Sequence, residues 1–147
     1  MRAVALFGAL AFPFLAHGFD LQGHRGARGL APENTLPAFE RALDLAVTTL
    51  ELDTGITRDG VVVIHHDPTL NPAITRDASG QFLERRGPAI HSLSWAQLQS
   101  YDVGRLNPHS DYRKNYPDQQ PVDGTRIPRL SDPVSYTHLT LPTILRV

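Results

Sequence analysis

The 147-residue sequence contains no cysteine, which excludes a disulfide framework, a thiolate metal centre and a cysteine nucleophile. Any metal must therefore be held by oxygen or imidazole. Lysine is nearly absent as well: Lys114 stands alone among 14 lysines and arginines, and the cations form no basic tract. Against 15 acidic residues the formal net charge is −1, so the chain lacks the electrostatic footprint of a nucleic-acid binder. Its apolar runs fall short of the ~20 residues that cross a bilayer. The chain is also short against the roughly 250 residues of a typical (β/α)8 barrel, so a large enzyme read from it is expected to be incomplete. What is present is ordinary for a folded domain, with 41% hydrophobic and 20% charged residues.

The two ends differ from the middle. Arg2, the apolar stretch from Ala3 to Leu15, and the small residues Ala16 and Gly18 outline a secretory leader cleaved after Gly18. Export to the periplasm or outside the cell follows, with no stable membrane anchor once the leader is removed. At the other end, residues 134–147 turn abruptly to threonine and leucine, without an acidic residue or a glycine. Their pattern favours a short strand or coil. The run resembles read-through into a cloning adaptor and is expected to be a non-native tail, which leaves residues 19–133 as the natural domain.

In the middle, Phe19 to Gln22 predicts a short strand that delivers Gly23-His24-Arg25-Gly26 to its end. A helix follows, capped by Asn34 or Thr35, with Pro37 in its first turn and Leu36, Phe39, Leu43 and Ala46 at helical spacing. Val47 to Asp53 predicts the next strand, on which Glu51 and Asp53 share one side while Leu50 and Leu52 share the other. Strand, helix and strand make a βαβ unit. Only residues 54–60 lead to Val61-Val-Val-Ile-His-His66, too few for a parallel crossover, and Asp59-Gly60 signals a hairpin. A two-residue loop pairs Arg58 with Val61 and sets His66 opposite Asp53. From Asp67 to Leu130 the chain is rich in proline and glycine, with one helix predicted over Trp95–Tyr101, capped by Ser94. An excursion of this length is more often functional than a packing element.

Two carboxylates on one strand face can hold a hard divalent cation. Histidines at strand ends, His24 and His66, suit proton transfer near neutral pH, and Arg25 offers a planar fork for phosphate. Together these point to metal-assisted phosphoryl chemistry.

Gly-His-Arg-Gly at 23–26, Pro-Glu-Asn-Thr at 32–35, Glu-Leu-Asp at 51–53, Asp-Gly at 59–60 and His-Asp at 66–67 together resemble the glycerophosphodiester phosphodiesterase family. Tyr101-Asp-Val-Gly104 and Gly124 to Leu130 look like that family's insertion and its return to the barrel. The resemblance covers about Asp20 to Asp132. It implies the N-terminal part of a TIM (β/α)8 barrel of the α/β class that hydrolyses a small glycerophosphodiester to glycerol 3-phosphate and an alcohol. It also implies roles: His24 and His66 as the acid/base pair, Glu51 and Asp53 as ligands of Ca2+ or Mg2+, and Arg25 on the substrate phosphate. Glu33 and Asp67 would support these by hydrogen bonding. His65 is expected on the other strand face in a structural role, and His91, His109 and His138 match no motif.

One departure is plain. The family's third metal carboxylate comes from a glutamate on a later barrel strand, and this sequence has no glutamate beyond Glu84. Two alternatives accompany the leading expectation: an inactive fragment or binding module, and a related lipid phosphodiesterase of the phospholipase D-like or phosphatidylinositol-specific kind. The polar segment 105–126 does not supply the apolar rim that a lipid enzyme favours.

Overall fold

A computed structural model describes residues 19–133 and the backbone of residues 143–146. The predicted leader lies outside the described residues, as do residues 134–142 of the C-terminal run. Strand β1 (Gln22–His24) pairs in parallel with β2 (Thr49–Ile56), with His24 beside Glu51. It begins later than the expected Phe19–Gln22 and includes His24 itself. Ahead of it, Leu21 is tied to the start of β2 by its N–H on Thr48 Oγ1 and by its carbonyl, which accepts from the amides of Thr48 and Thr49. Asp20 adds hydrogen bonds from the hydroxyls of Thr48 and Thr49.

Helix α1 (Leu36–Asp44) joins the two strands. Thr35 caps it in extended backbone, its hydroxyl accepting from the Ala38 amide, and Pro37 sits in the first turn where no helical N–H is needed. The face turned inward is Ala38, Phe39 and Ala42. Ala46, expected on that face, is exposed with φ 55°, because the helix ends at Asp44 and the chain turns there toward β2. Phe39 and Ala42 pack with Val47, Leu50, Leu52 and Ile64 into one apolar core. The small residues let the helix lie close. A Cβ on Gly26 would come within 2.6 Å of the Ala38 carbonyl carbon, and its φ of 76° further requires glycine.

The second half of β2 pairs antiparallel with β3 (Val62–Ile64). The register joins Thr54 to Ile64 and Ile56 to Val62, one residue away from the expectation. Thr57 meets Val61 around a three-residue loop of Arg58, Asp59 and Gly60, with the Thr57 N–H on the Val61 carbonyl at 3.0 Å. Gly60 at φ 80° closes the turn, as three-residue hairpins with a left-handed last position do. The Thr57 side chain stabilises this choice by donating to Asp59 Oδ1 and accepting from the Val61 amide. The slip sets His65, rather than His66, opposite Asp53, with the His65 N–H on the Asp53 carbonyl at 3.0 Å.

From residue 67 the excursion builds a second apolar cluster of Val63, Leu70, Ile90, Leu98, Val103 and Ile127. Helix α2 (Trp95–Leu98) has the expected Ser94 cap, completed by Gln97 into a capping box, but is shorter than Trp95–Tyr101. A further short helix, α3 (Asp111–Lys114), is capped by Ser110. Residues 128–130 return along the free edge of β3, through the Ile64 N–H on Pro128 and the Leu130 N–H on Val62. Thr143–Arg146 forms β4, parallel to β2 and paired from Leu50 to Asp53. This agrees with the short strand or coil expected of the C-terminal run. Among the described residues no helix is long and apolar enough to cross a membrane.

Candidate active site

The end of β1 and the middle of β2 carry most of the expected site. Arg25 follows β1 with φ 56°, in the left-handed region that non-glycine residues seldom enter. Asn34 does the same at φ 55°, and its N–H donates to the Arg25 carbonyl at 3.0 Å. Two such residues in one loop are a concentration of backbone strain, of the kind that marks functional loops and persists only where surrounding bonds enforce it. Here the enforcing bonds come from the carboxylates. Glu51, 4% exposed, accepts the Arg25 N–H at 3.0 Å, and Asp53 accepts the Asn34 side-chain amide at 3.1 Å.

The Arg25 guanidinium lies between two acids, with Nη1 on Glu33 Oε1 at 2.7 Å and Nε 3.2 Å from Asp53 Oδ2. Burial alone would weaken its hold on the proton, but the charge of Glu33, its hydrogen bond and Asp53 outweigh that and raise the Arg25 pKa. It remains a fixed cation. Its Nε is buried and has no hydrogen-bond partner of good geometry, since the approach to Asp53 is electrostatic. His24 stands 3.7 Å from Glu51 with about half its side chain exposed. Burial, then the positive charge of Arg28, lower its pKa despite Glu51, which favours the neutral imidazole that can accept a proton.

His66 occupies a different setting. It is exposed, and Nδ1 meets Asp67 Oδ1 at 2.7 Å. Asp67 in turn accepts from Asn71 at 2.7 Å and faces Arg86 at 3.4 Å. Burial pushes the Asp67 carboxyl up, and the hydrogen bonds from His66 and Asn71 more than reverse this, so it is lowered overall. An ionised carboxylate on Nδ1 orients an imidazole and leaves Nε2 to face a reacting group. His65 is buried, with Nε2 unpartnered, and desolvation lowers its pKa.

The structure thus brings His24, Arg25, Glu33, Glu51 and Asp53 into one connected cluster and sets His66 with Asp67 beyond β3. Asn34 and Tyr112 were not expected in it. Asn34 bonds Asp53 through both ends of its amide, donating from Nδ2 and accepting the Asp53 N–H on Oδ1 at 3.3 Å. The Tyr112 hydroxyl donates to Glu33 Oε2 from the far excursion. Asn34 was visible as a helix-cap candidate and as part of the Pro-Glu-Asn-Thr motif, without a role at the site, and nothing near Tyr112 in the chain signals its partner, which is 79 residues away. Glu51 and Asp53 offer hard oxygen donors on one strand face, suited to Mg2+ or Ca2+. Among the described residues no group of three or more histidines and carboxylates is arranged to hold a metal ion, so Glu51 and Asp53 would supply only part of a ligand set.

Arginine, carboxylates and an imidazole thus gather at the end of a parallel βαβ unit, the kind of position where α/β proteins carry their sites. The glycerophosphoryl diester phosphodiesterase family pattern matches residues 24–143, reaching into the C-terminal run. The chain belongs to that family. It is 35% identical over 114 residues to mouse glycerophosphodiester phosphodiesterase 1, covering 76% of this chain and 28% of that protein. A mouse glycerophosphoinositol inositolphosphodiesterase is 37% identical over 84 residues, covering 57% of this chain and 15% of its own length. Among solved structures, a candidate glycerophosphoryl diester phosphodiesterase from Silicibacter pomeroyi superposes with a TM-score of 0.79 at 36% identity, over 84% of this chain and 43% of that one. A phosphodiesterase from Oleispira antarctica, solved with its product sn-glycerol 3-phosphate, gives a TM-score of 0.58 at 27% identity, over 85% of this chain and 43% of that one. The fold is therefore a segment of the TIM-barrel phosphodiesterases, and the chain spans less than half the length of these relatives.

Proposed function

We propose that the protein is an exported, metal-dependent phosphodiesterase that hydrolyses small glycerophosphodiesters to glycerol 3-phosphate and an alcohol. The observation that carries this reading is Arg25, held between Glu33 and Asp53 with its N–H on the buried Glu51 and His24 alongside. The product named for the Oleispira antarctica relative supports the same substrate class.

In this reading Arg25 receives a phosphoryl oxygen and offsets charge as it builds there. Glu51 and Asp53 would hold a divalent cation, which when bound supplies further charge stabilisation. His24, disposed to be neutral, takes a proton from the attacking hydroxyl, whether water or a substrate hydroxyl. His66, oriented by Asp67, delivers one to the leaving alcohol, and the roles exchange if the reaction passes through a second step. The proposal also takes residues 1–18 as the exporting leader and 134–147 as foreign to the natural protein.

A second reading, that the chain binds substrate without turnover, draws on the partial ligand set. The discriminating assay measures sn-glycerol 3-phosphate released from glycerophosphocholine with Mg2+ or Ca2+ present. Turnover that EDTA abolishes and that His24→Ala or His66→Ala reduces at least a hundredfold supports catalysis. Binding of glycerol 3-phosphate without turnover supports the second reading. Turnover undiminished in both histidine variants would sink the acid/base assignment.

A further inference from the structure

The excursion reaches back over the site at one place. Residues 110–120 lie against the loop 25–33 through several independent contacts. Gln119, buried, donates its side-chain amide to the Arg28 carbonyl at 2.7 Å, and the Gln120 N–H donates to the Leu30 carbonyl at 2.9 Å. The Arg28 guanidinium stacks 5.0 Å from the Tyr116 ring centroid, and Tyr116 meets Tyr112 edge to face at 5.1 Å. Arg113 closes the segment on itself, donating to the carbonyls of Tyr116 and Pro117. The segment is thus tied to the loop through the tyrosine pair and through the residues that follow it.

Tyr112 ends the chain of contacts on Glu33. That carboxylate is 7% exposed and has two oxygens to satisfy: Oε1 receives Arg25 Nη1 at 2.7 Å, and Oε2 receives the Tyr112 hydroxyl. A buried carboxylate with one oxygen unpaired can rotate or recruit its cation differently, whereas one held from both sides fixes the plane of the guanidinium it faces. Burial and the nearby Glu33 charge push the Tyr112 phenol well above its ordinary range, so it stays a donor throughout the working pH range.

We infer that Tyr112 is a positioning residue: acting through Glu33, it holds the Arg25 guanidinium in the orientation that receives a phosphate group. The inference rests on the reading of Arg25 as the phosphate ligand and deepens it. It makes the excursion part of the phosphate site although its own side chains touch no reacting atom.

The test uses the full chain, with sn-glycerol 3-phosphate and inorganic phosphate as probes in calorimetric titration, and the Arg25 Nε–H signal followed by 15N NMR. Tyr112→Phe keeps the ring and removes only the donor. It is expected to weaken binding about tenfold, as loss of a bond that orients a ligand typically does, and to broaden or shift the Arg25 signal. In a Glu33→Gln background the same substitution should cause no further loss, which a general effect on folding would not reproduce. Lys114→Ala, on the exposed side of α3, should leave binding and the signal unchanged. Wild-type affinity and an unmoved Arg25 signal in Tyr112→Phe would overturn the inference, as would equal losses in the presence and absence of Glu33. If the unsubstituted chain binds neither probe, the reading of Arg25 as phosphate ligand fails. The Arg25 signal in the free chain still decides whether Tyr112 orients the guanidinium.

Discussion

The two halves of the described chain hold their polar residues by different means. Up to Ile64, the site residues ride on paired strands whose opposite face is buried: Leu50 and Leu52 are almost fully enclosed while Glu51 and Asp53 face the site. Beyond Asp67 there is little repetitive structure, and charge pairs and turns do much of the work. Arg76 alone meets Asp102 at 2.6 Å and Asp123 at 2.5 Å, and Arg105 also binds Asp123. Those bonds hold the Asp123 carboxyl down to about 2. Strand pairing sets side chains in register along a backbone ladder, whereas the excursion holds its residues through individual side-chain bonds. The site uses both, since Arg25 depends on Glu51 from the sheet and on Glu33, which Tyr112 reaches from the excursion.

Damage to each half should reveal the difference. The largest effect is expected at Gly104, where an added Cβ would fall 1.9 Å from the Val122 carbonyl oxygen. Neither backbone can yield without breaking the Val122 N–H bond to Gly104, so Gly104→Ala should cost more than ~3 kcal/mol, by analogy with severe overpacking. Urea denaturation followed by the fluorescence of Trp95, which packs against the second cluster, should show it, and stability like that of wild type would contradict the packing described. In the sheet half, Leu50→Ala should cost ~2–5 kcal/mol through the cavity it leaves. The same denaturation series checks it, and a loss below 1 kcal/mol would mean that the core collapses around the gap.

Next comes Asp102→Ala. It leaves the mostly buried Arg76 short of its stronger partner and removes acceptors for the Gly104 and Gly124 amides, for a loss of ~3 kcal/mol. Asp123, being exposed, should compensate little, and a loss that disappears in high salt would show that the pair behaves as a surface one.

The smallest effect is a slope in pH. Burial lowers the proton affinity of His65 and of His24, so the unfolded chain binds more protons than the folded one below the ordinary histidine pKa of ~6.5. Stability should therefore fall as pH drops through ~6.5 toward the depressed folded values, and be fully present above it. Melting temperatures at intervals from pH 7.5 to 5.5 measure this. His65→Gln should flatten the profile, and an unchanged slope in that variant would assign the effect elsewhere.

Much of the first half was legible from local pattern. The βαβ order and the shared side of Glu51 and Asp53 follow from periodicities of 3.6 and 2 that act over a few residues, and the cap was narrowed to Asn34 or Thr35, of which the fold uses Thr35. The hairpin was legible as a turn and not as a register. Asp59-Gly60 fits both two- and three-residue loops, and the Thr57 side chain, bonded to Asp59 and to the Val61 amide, goes with the longer one. That one-residue difference exchanged His65 for His66 opposite Asp53. In the excursion, α3 was missed because four residues carry too little periodicity to register.

By itself the sequence determined the family motifs, the strand that carries the two carboxylates, and the chemistry available without cysteine. These depend on residue type and short spacing. Tertiary structure alone decided which histidine meets Asp53, where the Arg25 guanidinium points, and that Tyr112 closes on Glu33. The first turns on side-chain bonds inside the hairpin and the other two on contacts between separate segments, and all are settled by the satisfaction of polar groups in the folded chain, which residue type and spacing alone do not rank.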